Sequence, residues 1–106
     1  MIARVWKGWT STENAAAYQK LLQSKVLPGL KEIEGYRGGW VLYKKGNDGE
    51  VEFMVVNFFE SLEAVKKFAG PDYNVPVFEP EARELLVKVE PLAKHYEVGL
   101  DSSEML

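Results

Sequence analysis

The stretch EVEFMVVNFFESLEAVKKFAG, residues 50–70, decides the fold. It follows Gly46-Asn47-Asp48-Gly49, whose residue types suit the positive φ angles of a hairpin turn. Val51 to Phe59 is a nearly unbroken apolar and aromatic run, rich in strand formers and too short to cross a membrane. Ser61 can cap a following helix, with Glu63 near the positive end of its dipole. Leu62, Val65, Phe68 and Ala69 recur at helical spacing, and Gly70-Pro71 stops the helix. A buried strand therefore feeds an amphipathic helix.

Upstream, Ile2 to Trp9 reads as a first strand, and Thr10 and Glu13 have the spacing of a capping box opening a helix into Ala15–Ala17. Tyr18, Leu21, Leu22, Val26, Leu30 and Ile33 form one apolar stripe that Pro28-Gly29 interrupts. This predicts a helix to about Leu27, then a kink or a short second piece, ending at Gly35. Tyr36 to Lys44 is a second strand whose Gly38-Gly39 pair marks a bulge or a close approach by another group. Downstream, Pro71 to Glu79 is an irregular loop carrying Tyr73, Val77 and Phe78. Pro80 opens a short helix through Val87, Pro91 breaks the chain, and Ala93 to Val98 is a last strand. Residues 1–98 read as one domain and 99–106 as a polar, fraying tail.

The order is β-α-β-β-α-β, an α+β ferredoxin-like pattern with a four-stranded antiparallel sheet and both helices on one face. The strands are apolar on both parities, with Phe53, Val55 and Phe59 against Met54, Val56 and Phe58. A sheet apolar on both faces is buried on both. With no further helix to cover it, the natural cover is a second copy, giving a homodimer.

Composition narrows the chemistry. With 106 residues, no cysteine and the single histidine His95, neither a disulfide, a thiolate nucleophile nor a His-cluster metal site is expected within one chain. The lack of cysteine suits a cytoplasmic setting. A formal charge of −3 argues against nucleic acid or anionic membrane as partner, and no apolar segment approaches a membrane span or a secretory h-region. RNA binding on this strand order would need basic and aromatic residues on strand three, where Glu50-Val51-Glu52-Phe53 stands. Three Trp, five Tyr and five Phe favour a large core, a lined pocket or a buried interface.

Several side chains are candidates. His95 is either an acid–base group or a structural one. If strands one and four pair so that opposed numbers sum to 101, Arg4 faces Glu97 and Trp6 faces His95. That register assigns Arg4, Trp6, His95 and Glu97 to the face covered by the second subunit. Trp9 and Trp40 are core or pocket aromatics. Asn57, an amide inside an apolar strand, either orients a ligand or ties a loop. Tyr73 lies in the loop over the expected cavity mouth.

Four segments, MIARVWKGWT (1–10), GYRGG (35–39), the 50–70 unit and HYEV (95–98), make the chain resemble the antibiotic biosynthesis monooxygenase family, within the dimeric α+β-barrel superfamily, over residues 1–98. The resemblance implies two sheets packed into a dimeric barrel and a ligand cavity between sheet and helices in each subunit. It implies cofactor-free oxygenation of a small aromatic or polycyclic substrate, or a non-catalytic ligand-binding or regulatory dimer. Asn57, Tyr73, Trp9, Trp40 and Phe68 are then the pocket candidates. No catalytic residue is fixed beyond the candidate His95, and no cofactor or metal is expected. Other relatives cleave haem with an asparagine on strand one, a tryptophan on the second helix and a histidine after it. Those positions align with Val5, Phe68 and Val77, so haem turnover is not expected here.

Overall fold

The computed structural model describes residues 1–77 and 79–102; the expectations for Phe78 and for residues 103–106 lie outside them. β1 (Ile2–Ser11) runs two residues further than expected. Thr10 therefore sits in the strand instead of capping a helix, its hydroxyl donating to the Leu85 carbonyl at 2.6 Å. The turn is closed by Ser11, whose Oγ accepts from the Asn14 N–H at 3.2 Å, and α1 covers Ala15–Leu21.

No break follows. α1 passes through a π-helical turn, Leu22–Val26, into α2, Leu27–Lys31. Proline lacks an N–H and collides with the preceding turn of an α-helix. Here the backbone widens one turn ahead of Pro28, with the Leu27 N–H reaching the Leu22 carbonyl five residues back. Gly35, at φ +92°, makes the turn into β2, Tyr36–Lys45.

β3 (Glu50–Phe59) and α3 (Leu62–Ala69) form as expected. Ser61 Oγ accepts from the Ala64 N–H at 3.2 Å, and Gly70 ends the helix at φ +84°. α4 (Pro80–Leu85) is shorter than expected, because Leu86 turns extended and begins an additional strand, β4 (Leu86–Val89). β5 is Lys94–Glu97.

The antiparallel sheet thus has five strands, not four. Its order is β2-β3-β1, with β4 and β5 sharing the outer edge of β1 on either side of the Pro91 break. β5 sits two residues from the expected register: Arg4 pairs with His95 and Ile2 with Glu97, so the expected Arg4–Glu97 and Trp6–His95 pairs do not form. A two-residue slip leaves side chains on the same face.

The face itself is the larger correction. Ile2, Arg4, Gly8 and Thr10 of β1, with Val51, Phe53, Asn57 and Phe59 of β3, are buried beneath the helices. Arg4, Trp6, His95 and Glu97 therefore belong to the helix-side face, not to the open one. The helix-side core is split. Tyr18, Leu21, Leu22, Val51, Phe53 and Ala82 pack beneath α1 and α4. Ile2, Leu30, Phe59, Ala64 and Val65 pack beneath α2 and α3. Val26, in the π turn, touches both clusters.

Candidate functional site

A polar row crosses the helix-side face between the two clusters. Cross-strand pairing sets His95 beside Arg4, Arg4 beside Asn57, and Asn57 beside Gly39. Arg4 is only 5% exposed. Its NH1 donates to the Tyr73 carbonyl and lies 2.9 Å from His95 Nε2, and its NH2 donates to the Val75 carbonyl at 3.1 Å. The guanidinium lies 5.7 Å from the centre of the Phe68 ring. Burial pushes its pKa down to about 10, so it stays a cation at neutral pH.

Because guanidinium N–H groups only donate, His95 Nε2 is the acceptor of that contact. Burial, and then the Arg4 charge, hold the imidazole pKa below its ordinary value, which keeps the ring neutral. The edge of the Tyr73 ring meets it at 5.1 Å and 81°. His95 thus steadies Arg4 from behind, and Arg4 straps the 71–79 loop to the sheet.

Asn57 is placed by a different device. Its Oδ1 accepts from the Tyr36 hydroxyl at 2.9 Å, which leaves the amide NH2 directed to the cleft. A Cβ at residue 39 would lie 2.5 Å from that oxygen and 2.4 Å from the Val56 carbonyl, so only glycine fits there. Both readings of the Gly38-Gly39 pair hold, since the register also shifts between Tyr36 and Gly39 with Gly38 at φ +97°.

The row floors a cleft of two lobes that meet at Leu22, Val26, Val55 and Asn57. The inner lobe, about 60 Å³, adds Arg4, Trp6, Tyr18, Phe68 and Val77. The outer lobe, about 350 Å³, opens between Leu27, Leu30 and Val41. Trp6 lies over Gly8, where a Cβ would come within 2.8 Å of the indole, and its N–H donates to the Glu90 carbonyl at 2.9 Å. Tyr18 meets Phe53 edge-on at 4.9 Å. Burial pushes its phenol pKa up to about 12, so it remains a neutral donor, with no hydrogen-bond partner among the described residues.

Of the expected pocket residues, Asn57 and Phe68 line this cleft. Tyr73 does not; its ring borders a shallower groove with Leu62, His95 and Glu97. Trp9 and Trp40 are on the opposite face of the sheet. Trp9 has the parity opposite to Arg4, and Lys88 Nζ caps its ring at 4.4 Å. Trp40 is carried over by the bulge, which shifts the parity of β2, and it is 66% exposed. Val5, aligned above with the strand-one asparagine of haem-cleaving proteins, also faces away; the β1 residues in the cleft are Arg4 and Trp6. Tyr18 was read only as part of a helix stripe. Pairing strand one with strand three, rather than with strand four alone, would have set Arg4 against Asn57.

Among the described residues no cluster of His, Asp and Glu could hold a metal ion, and no helix is long and apolar enough to cross a membrane. No protein-family model and no curated protein sequence matches the chain. Solved structures do. A Bacillus cereus protein provisionally ascribed antibiotic biosynthesis monooxygenase activity superposes with TM-score 0.67 at 18% identity, covering 95% of this chain and 94% of that one. The haem-degrader MhuD from Mycobacterium tuberculosis, solved with two haems in its active site, gives 0.63 at 17% identity over 95% and 98%. A Streptomyces coelicolor monooxygenase in complex with nanaomycin D gives 0.58 at 15% identity over 94% and 88%. At these identities the likeness shows the fold: the chain has the ferredoxin-like α+β fold of antibiotic biosynthesis monooxygenase proteins.

Proposed function

We propose that residues 1–98 form a cytoplasmic, homodimeric oxygenase domain that binds a small aromatic molecule in the sheet–helix cleft and oxidises it with molecular oxygen, using neither metal nor flavin. One observation carries this reading: an apolar, aromatic-walled cleft whose lining includes three side chains with hydrogen-bond donors, Arg4, Asn57 and Tyr18. Such a site holds a flat ring by burial and orients it through few polar contacts. In the reaction an ionised substrate supplies the electrons. A ring CH₂ becomes C=O, one oxygen atom enters the product and the other leaves as water. The protein's part is to exclude water, hold the ring and stabilise the anion.

Haem does not suit this cleft. Phe68 and Val77 on its wall cannot ligate iron, and His95 Nε2 is engaged by Arg4. Haemin and a reductant should show no loss of the Soret band beyond the protein-free control.

The homodimer is supported by the open face. There Trp40, Leu42 and Tyr96 are exposed, and Val5, Met54, Val56 and Phe58 are only half-buried. Apolar surface of this extent on a small domain marks an interface. A second reading, a ligand-binding dimer without turnover, is favoured by the lack of an uncommitted imidazole in the cleft.

Oxygen uptake across a panel of anthrones and quinols separates the two. Protein-dependent uptake with one substrate supports the oxygenase. Tight binding without uptake across the panel assigns the non-catalytic role.

A further inference from the structure

We infer that the ligand of this cleft is an aromatic acid, a carboxylate or an ionised phenol, whose anionic oxygen docks on Arg4. The inference rests on the cleft being the ligand site, as proposed above.

Buried charges are normally paired, because desolvating an isolated ion is costly. Arg4 departs from that rule. The ion pairs among the described residues, such as Lys25–Glu81, run along the surface, and none includes Arg4. Glu79, the carboxylate bordering the inner lobe, makes no ion pair with it. Its described partners are two carbonyls, a neutral imidazole and the ring of Phe68, none of which carries the missing negative charge.

The guanidinium also has donors to spare. Of its N–H groups, NH1 serves the Tyr73 carbonyl and His95, and NH2 gives one hydrogen to Val75. Nε–H and the second NH2 hydrogen are uncommitted among the described residues. The same lobe is lined by Asn57, one strand over, whose amide NH2 has no partner among the described residues, and by Tyr18 with its neutral phenol. Apart from the Glu79 rim, the polar side chains named in this lobe offer donors from three elements, and such a set selects a negatively charged acceptor.

The dimensions divide the ligand in the same way. At about 60 Å³ the inner lobe admits one small acidic group, whereas the outer lobe, about 350 Å³, has room for a ring system. The ligand's charge therefore lies at its inner end and its ring between Leu22, Val26, Leu30 and Val41.

The test is binding of matched probes, followed by calorimetry and tryptophan fluorescence. 2-Naphthoate and 2-naphthamide differ in charge but hardly in shape. 4-Nitrophenol reports ionisation through its visible phenolate band. The parent protein should prefer naphthoate over naphthamide by about tenfold or more, or ionise bound nitrophenol at lower pH than the free dye. The first result assigns a carboxylate and the second a phenolate. Arg4→Gln should abolish the preference for naphthoate and the nitrophenol shift, and Arg4→Lys should restore part of them. Equal binding of the naphthalene pair with unshifted nitrophenol overturns the inference and leaves the cleft reading standing. Failure of all three probes to bind overturns both. A preference that survives Arg4→Gln also overturns it. The parent measurements decide the matter even where Arg4→Gln does not fold.

Discussion

The two faces of the sheet carry similar amounts of apolar side chain and use it differently. Beneath the helices the apolar residues form two separate cores, and the polar row His95–Arg4–Asn57 crosses the gap between them. On the open face Val5, Val56 and Trp40 stand side by side across three strands, and the charged residues Lys7, Glu52, Lys44 and Lys94 lie around that apolar row. A binding site needs polar groups held in fixed positions. An interface needs a continuous patch that repels water. On the function proposed above, one face holds a small molecule and the other is covered by a second copy.

The largest expected effect comes from breaking the open face. Val56→Asp places a charge at its centre, where a partner's apolar surface would desolvate it, at a cost of about 3 kcal/mol or more. By light scattering at micromolar concentration the parent should have twice the chain mass of 12.0 kDa and the variant the chain mass itself. Probe binding in the cleft should survive. A monomeric parent, or an intact Val56→Asp dimer, would dissolve the contrast between the faces.

Gly39→Ala strikes the other face. The new Cβ meets both the Val56 carbonyl and Asn57 Oδ1 below 3 Å, and the backbone cannot yield cheaply. Thermal unfolding should show a loss of about 1–3 kcal/mol, and 2-naphthoate affinity should fall as the amide is displaced. Unchanged stability and binding would mean that the close approach is not required.

Asn57→Leu should be milder. It removes one cleft donor and leaves the Tyr36 hydroxyl without its acceptor, costing about 1 kcal/mol in probe affinity with dimer mass unchanged. Weakened assembly with unchanged affinity would reverse the assignment of this residue.

The smallest effect is a slope. The folded-state pKa of His95 lies below its ordinary value of 6.5, so between the two values the unfolded chain binds the extra proton and the folded one does not. The contribution is fully present above about pH 6.5 and is lost as pH falls towards the folded pKa. Replacing His95 by Gln should flatten the melting-temperature profile in that window, without altering dimer mass. An unchanged profile would detach His95 from Arg4.

Most of the element order was legible because residues 50–70 join an apolar run of strand formers to a run of helical period, with a serine cap between them and a glycine stop after. β4 was missed because Leu86 and Val87 continue the apolar positions of α4 and no glycine or proline stands directly after Leu85 to mark where the helix ends. The faces were not legible. Both parities of strands one and three are apolar, so hydrophobicity cannot choose between them, and Trp40 depends on one extra residue at the bulge. The polar residues held a clue, since pairing β1 with β3 sets Arg4 opposite Asn57 and so puts both on one face. Tyr18 stayed hidden because a phenol on an apolar stripe reads as core, and it is in fact core while also lining the cleft.

The π turn at Leu22–Val26 holds one residue more than an α-helix would place in the same arc. That surplus acts as a slack link in an otherwise fixed circumference. Removing one residue there would close the wide turn and rotate everything beyond it by about 100°, swinging Leu30 off its core and reshaping both lobes, which share Leu22 and Val26. The sheet, its polar row and the open face would be untouched. Length variation at this single address would alter the helical wall of the cleft and the core beneath α2 while leaving its floor of sheet residues in place.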